Sequence, residues 1–285
     1  MPSTTCARQM PKDQYRRCRR SSKSLIPESI PLHSLLIPLL QDKSPEVVEA
    51  ALKTTEKVLR RDLVPLIILH LGNPATSQLT VRALKAHGEG ILGTLSDYLG
   101  DKTIPLDIRC KLPNVLAEIG SQRGVRNLVS CLSEEERELR GCVIKALSKL
   151  RTAHPDLRIR EGEIRKAILR EVREAYAFLS ELNPQASQAY SVRRKEPKEV
   201  SEENRKQRDH QSMQMIFRLL GLLYTPRDIS NAYRGLRSPR ADVRASAIEF
   251  LDNLLPANLR RWILPLVDDS LSVEEKLQFG ARLGH

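Results

Sequence analysis

Apolar positions recur at helical spacing from Leu32 almost to the end of this chain, and one mixed phrase recurs with them. In "ADVRASAIEFLDNLL" (241–255) an acid, an apolar residue and an arginine precede a helical stripe. "LDIRCKLPNVLAEIG" (106–120) and "ELRGCVIKALSKL" (138–150) read the same way, and "LTVRALKAHG" (79–88) is a weaker copy without the acid. The arginines in register are Arg82, Arg109, Arg140 and Arg244. The first two intervals are 27 and 31 residues. The third is 104, room for about three units, or for fewer units and an insertion.

Around these phrases the pattern predicts short helix, tight turn, longer helix, tight turn. Helices are expected over 32–40, 45–61, 63–71, 75–87, 90–100, 105–119, 123–132 and 134–150, then over a longer stretch, 163–183. Pro45 and Pro105 suit first-turn positions, Ser133 is the expected cap of the 134–150 helix, and "HGEG" (87–90) reads as a helix stop. Residues 163–183 carry Ile164, Ile168, Leu169, Val172, Tyr176 and Leu179 on one stripe. Residues 184–210 are charged and almost free of aliphatics, which predicts an exposed linker. Helices return over 212–224, 225–236, 240–255, 258–267 and 272–283, the last opened by a capping box of Ser272 and Glu275. No segment alternates as a strand would. The expected organisation is a basic disordered tail (1–30), helical repeats (31–183), a charged linker (184–210), and further repeats with a C-terminal helix (211–285).

Composition narrows the class. Hydrophobic residues make up 40% and aromatics only 4%, so Leu, Ile, Val and Ala must build the core, as in helix-on-helix packing. The net charge of +12 is uneven. Residues 1–24 hold Arg8, Lys12, Arg16, Arg17, Arg19, Arg20 and Lys23 against Asp13 alone, about half of the excess. Arg16, Arg17, Arg19 and Arg20 are thus the candidate electrostatic contacts to nucleic acid or an anionic membrane. That Arg- and Ser-rich start is also compositionally similar to an organelle transit segment. Five cysteines, without a CxxC, suggest a reducing compartment and a cytoplasmic protein. The longest apolar stretch, 24–40, is cut by Pro27, Glu28, Pro31 and Pro38, so no membrane span is expected.

At Asp107-Ile108-Arg109, Glu138-Leu139-Arg140, Asp242-Val243-Arg244 and Thr80-Val81-Arg82 the chain resembles the HEAT-like repeat proteins, over about residues 32–150 and 212–268. The resemblance implies an all-α fold: a right-handed α-solenoid of antiparallel helix pairs, in which Asp107, Arg109, Arg82, Arg140, Asp242 and Arg244 stitch neighbouring units. Those residues are therefore expected to be structural. Residues 213–255 also resemble the HEAT segment attached to some bacterial nucleotide-carrier-type, transporter-like proteins.

The residues that carry chemistry are sparse. The six histidines are isolated in sequence, no nucleotide-binding or nucleophile-elbow motif occurs, and no cofactor or metal is expected. Trp262, between Arg261 and Ile263, is a candidate for stacking on a base or ligand, with a core position as the simpler reading. The expected function is non-enzymatic: a scaffold that lays a protein or peptide along one face of the solenoid. The alternatives are nucleic-acid binding and a soluble regulatory module of a membrane transport system.

Overall fold

The computed structural model describes residues 32–182 and 202–282, and every regular element among them is helical. The basic tail of 1–30 and most of the charged stretch after 183 lie outside the described residues. The chain forms two compact units, one ending at His87 and one beginning at Gly88. The boundary thus divides the expected 31–183 run of repeats at its "HGEG" stop, where Gly88 takes a left-handed φ of 58°.

In the first unit, α1 (Leu32–Leu40) packs on α2 (Pro45–Thr55), and α3 (Val64–Leu69) packs on α4 (Ser77–Ala86). Pro45 sits in the first turn of α2, where its missing N–H is no loss. The expected helix over 45–61 ends at Thr55. There Thr54 and Thr55 turn their hydroxyls back onto the carbonyls of Ala50 and Leu52, competing with the helical ladder. Leu63, Val64, Ile67, Ile68, Leu71, Ala83 and Leu84 form a dry centre, each large side chain contributing about 1.5–3 kcal/mol. The His70 ring bonds the Leu40 carbonyl at 2.8 Å and ties α3 to α1.

The second unit contains α5 (Leu92–Gly100), α6 (Leu106–Arg109), α7 (Leu112–Ile119), α8 (Gln122–Ser130), α9 (Arg137–Ala153), α10 (Glu161–Leu182), α11 (Glu202–Leu223), α12 (Pro226–Leu236), α13 (Ala241–Leu254), α14 (Ala257–Val267) and α15 (Val273–Ala281). The expected 105–119 helix is broken into α6 and α7, because Pro113 in the first turn of α7 cannot continue the ladder from α6. Gly120 ends α7 with a φ of 68°, and the His154 ring fills the space where a side chain would stand. The helix expected from 134 starts at Arg137, and Ser133 is not its cap. Residues Cys131–Ser133 form a 3-10 turn, in which the Ser133 hydroxyl donates to the Ser130 carbonyl instead. At the far end the Ser272–Glu275 capping box is present in both directions.

The largest difference concerns the expected linker over 184–210. Helix α11 begins at Glu202, within that stretch. Lys, Arg, Gln and Glu are good helix formers without an apolar stripe, so a polar run that continues a packed helix can stay helical.

Helices α7, α9 and α11 lie in sequence as a row, α9 packing against both others, while α10 packs on α11 and α12 on α13. On α10, Ile164, Ile168, Val172 and Tyr176 are fully buried, and Phe178 goes inside where Leu179 stays half-buried. α14 and α15 also pack on α10. Tyr176 donates its hydroxyl to the Trp262 carbonyl at 2.9 Å, and Gly280 lies so close to the Tyr176 ring that a Cβ there would stand 2.6 Å from it. This tie skips the α12–α13 pair, and so departs from stacking in which each repeat touches only its neighbours.

Candidate functional site

The recurrent arginines share one local task. A helix that starts just after a turn leaves the turn carbonyls without partners, and a guanidinium one turn into the helix can reach back to them. Arg140 does so with Nη1, donating to the carbonyls of Glu134 and Glu135 at 2.9 and 2.8 Å. Arg244 repeats the same offsets, donating to Ser238 and Pro239 at 2.8 and 3.0 Å. Arg109 donates through Nε to the Leu99 carbonyl at 2.9 Å.

Each of these three also meets an acid further along the chain. Arg109 pairs with Glu136 at 2.6 Å, Arg140 with Glu171 at 2.8 Å and with Glu174, and Arg244 with Asp269 at 3.5 Å. Arg82 reaches backwards instead, to Glu56 at 3.1 Å, with its side chain largely in solvent. The acids of the phrase do not take part. Asp107 is exposed, and Asp242 bonds Arg240 two residues before it. That hydrogen bond holds the Asp242 carboxyl below its ordinary range.

Around Arg140 the charges are buried. Arg140 and Glu171 are 1% and 2% exposed. Burial pushes the Glu171 carboxyl up, against the pull of Arg140, and one of its oxygens has no hydrogen-bond partner. Arg137 joins through Ser212 at 2.6 Å and Glu174 at 3.6 Å, and burial lowers its pKa.

Other candidate groups are engaged inside the fold. Trp262 is 7% exposed, with the Arg261 guanidinium 4.6 Å from its ring centroid. It is a core residue, and its ring is not presented to a base or ligand. The candidate tail contacts Arg16, Arg17, Arg19 and Arg20 lie outside the described residues. His210 is not isolated in space. Its Nδ1 lies 3.1 Å from the Tyr233 hydroxyl, and its Nε2 lies 3.2 Å from Arg237 and 2.7 Å from the Gln214 amide. Burial and Arg237 lower its pKa. Arg237 can only donate, so Nε2 accepts and Nδ1 carries the proton toward Tyr233. Both ring nitrogens are thus occupied, which leaves no lone pair for a metal or a substrate proton. Among the described residues no group of three His, Cys, Asp or Glu could hold a metal ion, and no helix is long and apolar enough to cross a membrane.

One concave feature of the second unit is an open groove of about 760 Å³ between α8 and α10. From α8 come Gln122, Val125, Arg126 and Val129, which share one face at helical spacing, and from α10 come Glu163, Lys166, Ala167 and Arg170, which share another. Leu132 closes the floor, and Arg158 and Arg160 enter from the loop before α10. The Gln122 side chain pins that loop by bonding both the carbonyl and the N–H of Arg158, at 2.7 and 2.8 Å. Val125, Leu132 and Ala167 are buried parts of the floor. The rim is basic: Arg126, Arg158, Arg160, Lys166 and Arg170 against Glu163. Lys166 pairs with Glu163 at 3.0 Å, and Arg170 donates to the Ser133 carbonyl at 2.6 Å. The exposed guanidinium groups of Arg126, Arg158 and Arg160 have no bonding partner among the described residues.

The sequence reading missed this groove. Its five basic residues are spread over 45 positions (126 to 170) and form no run. The i, i+3, i+4, i+7 spacing of 122–129 and 163–170 was the available signal, yet it does not reveal that the two faces lie side by side. A scan against protein-family models finds no match, and a search of curated proteins finds none.

Proposed function

We propose that this chain is a non-enzymatic helical scaffold, built as a HEAT-like right-handed α-solenoid, that holds a protein or peptide partner. The observation that carries the reading is the open groove between α8 and α10, with an aliphatic floor and a polar rim, the usual anatomy of a protein-binding surface. The shared clamp of Arg140 and Arg244 on the carbonyls five and six residues earlier supports a repeated helical unit. Its half-buried free cysteines suit a reducing compartment, and the cytoplasm is the proposed location.

The test is site-directed photo-crosslinking from Ser130, on the groove wall, with the full chain returned to its own cells. The reading expects a discrete protein adduct that saturates and is lost when Val129, on the floor, becomes Asp. Absence of any saturable adduct, from this position and from a control position on another face, would overturn it.

A second reading, nucleic-acid binding, draws on the basic rim. It expects a DNA or RNA mobility shift that survives deletion of residues 1–24, with a steep salt dependence. No shift at low salt rejects it.

A further inference from the structure

The strongest unabsorbed feature of the groove is the mismatch between its charge and its floor. Three exposed guanidinium groups, Arg126, Arg158 and Arg160, stand on the rim with no bonding partner among the described residues. Unpaired like charges repel one another, so a ligand that brings carboxylates or phosphates relieves that repulsion and gains charge-assisted hydrogen bonds. A phosphate backbone would satisfy the rim alone. The lining has no aromatic ring on which bases could stack, and the half-buried Val129 would stay uncovered.

The shape says more about the occupant. α8 and α10 each turn an i, i+3, i+4, i+7 face toward the groove. Two such faces side by side are the cradle in which a third helix lays its apolar stripe. The rim charges come from α8 on one wall and from the loop before α10 on the other, so they would meet polar positions flanking that stripe.

We propose that the groove between α8 and α10 binds an acidic amphipathic helix of a protein partner. Its apolar stripe lies along Val129 and the aliphatic stems of Lys166 and Arg170, and its flanking carboxylates meet Arg126, Arg158 and Arg160. This rests on the scaffold reading above and specifies its partner.

The test uses the full chain and fluorescence anisotropy with labelled peptides of about 18 residues, long enough for a helix to run the groove. The first carries Leu at i, i+3, i+4 and i+7 with Glu on either side. The second replaces Glu by Gln, and the third keeps Glu and replaces Leu by Ser. An oligonucleotide of equal negative charge serves as competitor. At about 150 mM salt, where loose attraction to surface charge is largely screened, the acidic Leu peptide is expected to bind saturably. Arg126→Glu, Arg158→Glu and Arg160→Glu together should weaken it by about tenfold or more, with the circular dichroism of the chain unchanged because all three side chains are exposed. Val129→Asp should weaken it independently, and the Leu-to-Ser peptide should bind at least about tenfold more weakly.

Five results would overturn the proposal. An affinity within twofold after the rim reversal places the binding elsewhere, such as at the basic tail. A Leu-to-Ser peptide that binds as tightly as the first makes the attraction purely ionic. An oligonucleotide that competes and is lost with the same rim variants transfers the groove to nucleic acid. An acidic peptide that fails to bind at all leaves the groove without this occupant. If the Gln peptide binds in the groove as tightly as the Glu peptide, the acidic partner is rejected and the scaffold reading stands. If no peptide binds and the Ser130 crosslink also finds no protein, the scaffold reading falls with it.

Discussion

Arg140 and Arg244 occupy the same place in the same phrase and make the same pair of turn bonds, but they live in different surroundings. Arg140 is sealed with Glu171 among α9, α10 and α11. Arg244 is 30% exposed and meets an Asp269 that is itself in solvent. The local phrase therefore sets what the guanidinium does to its own turn. The neighbouring helices decide what that bond is worth. Removing one partner of a buried pair leaves an uncompensated charge, whereas an exposed pair is screened and replaced by water.

The largest expected effect tests that contrast directly. Arg140→Ala should lower stability by about 3–5 kcal/mol, since Glu171 is left buried and unpaired. Arg244→Ala should cost about 1–1.5 kcal/mol, mostly from the two turn carbonyls that it releases to water. Urea unfolding of both variants measures this, and equal losses would break the comparison. Replacing Arg140 by Met and Glu171 by Leu together should recover most of the deficit, because two apolar groups leave no stranded charge. Arg82→Ala should change stability by at most about 1 kcal/mol, as its pair with Glu56 is exposed on the arginine side.

The two neighbourhoods should also respond to pH with opposite sign. Burial raises the folded-state pKa of Glu171 above its ordinary 4.5. Between the two values the folded chain holds a proton that the unfolded chain has released, so the contribution of Glu171 to stability declines as pH rises through the raised value. Asp242 is held below its ordinary 3.8 by Arg240. Its contribution is present above 3.8 and is lost as pH falls through the lowered value. Relative to Glu171→Gln, the wild-type chain should lose ground on going up from pH 4.5. Relative to Asp242→Asn, it should lose ground on going down from 3.8. Urea midpoints across the acid range read both, and slopes of the same sign would contradict the assignment of burial to one site and exposure to the other.

The legible part of the fold was whatever is written locally. Pro45, Pro226 and the Ser272–Glu275 box mark helix starts through backbone chemistry that acts within one turn, and those helices begin within a residue of where the pattern places them. Ser133 failed as a cap because it ends a 3-10 turn in which its hydroxyl donates to the Ser130 carbonyl, and the helix starts only at Arg137. The start of α11 at Glu202 was missed because its first turns are polar. Least legible were the features that need two elements at once. His210 looks alone until α12 and the residue that caps it bring Tyr233 and Arg237 to it, and the groove exists only where α8 and α10 face the same space.

The smallest effect leaves stability aside and sharpens the comparison within the phrase itself. Just after Arg109 and Arg140 stand Cys110 and Cys142, where the 241–255 phrase has Ala245 and Ser246. Cys110 donates its thiol hydrogen to the Cys142 sulfur, which draws the Cys142 pKa down to about 7, against its partial burial and with help from Lys145. The same bond, with burial, pushes Cys110 up, and burial raises Cys131. Near neutral pH, then, Cys142 should be carboxamidomethylated by iodoacetamide ahead of Cys110 and Cys131, as peptide mass mapping would read. Cys110→Ala removes the donor and should slow Cys142 by on the order of tenfold, because only the thiolate attacks. If Cys142 reacts at the same rate without Cys110, the proximity of these two phrases does not tune its thiol, and Lys145 alone must account for its reactivity.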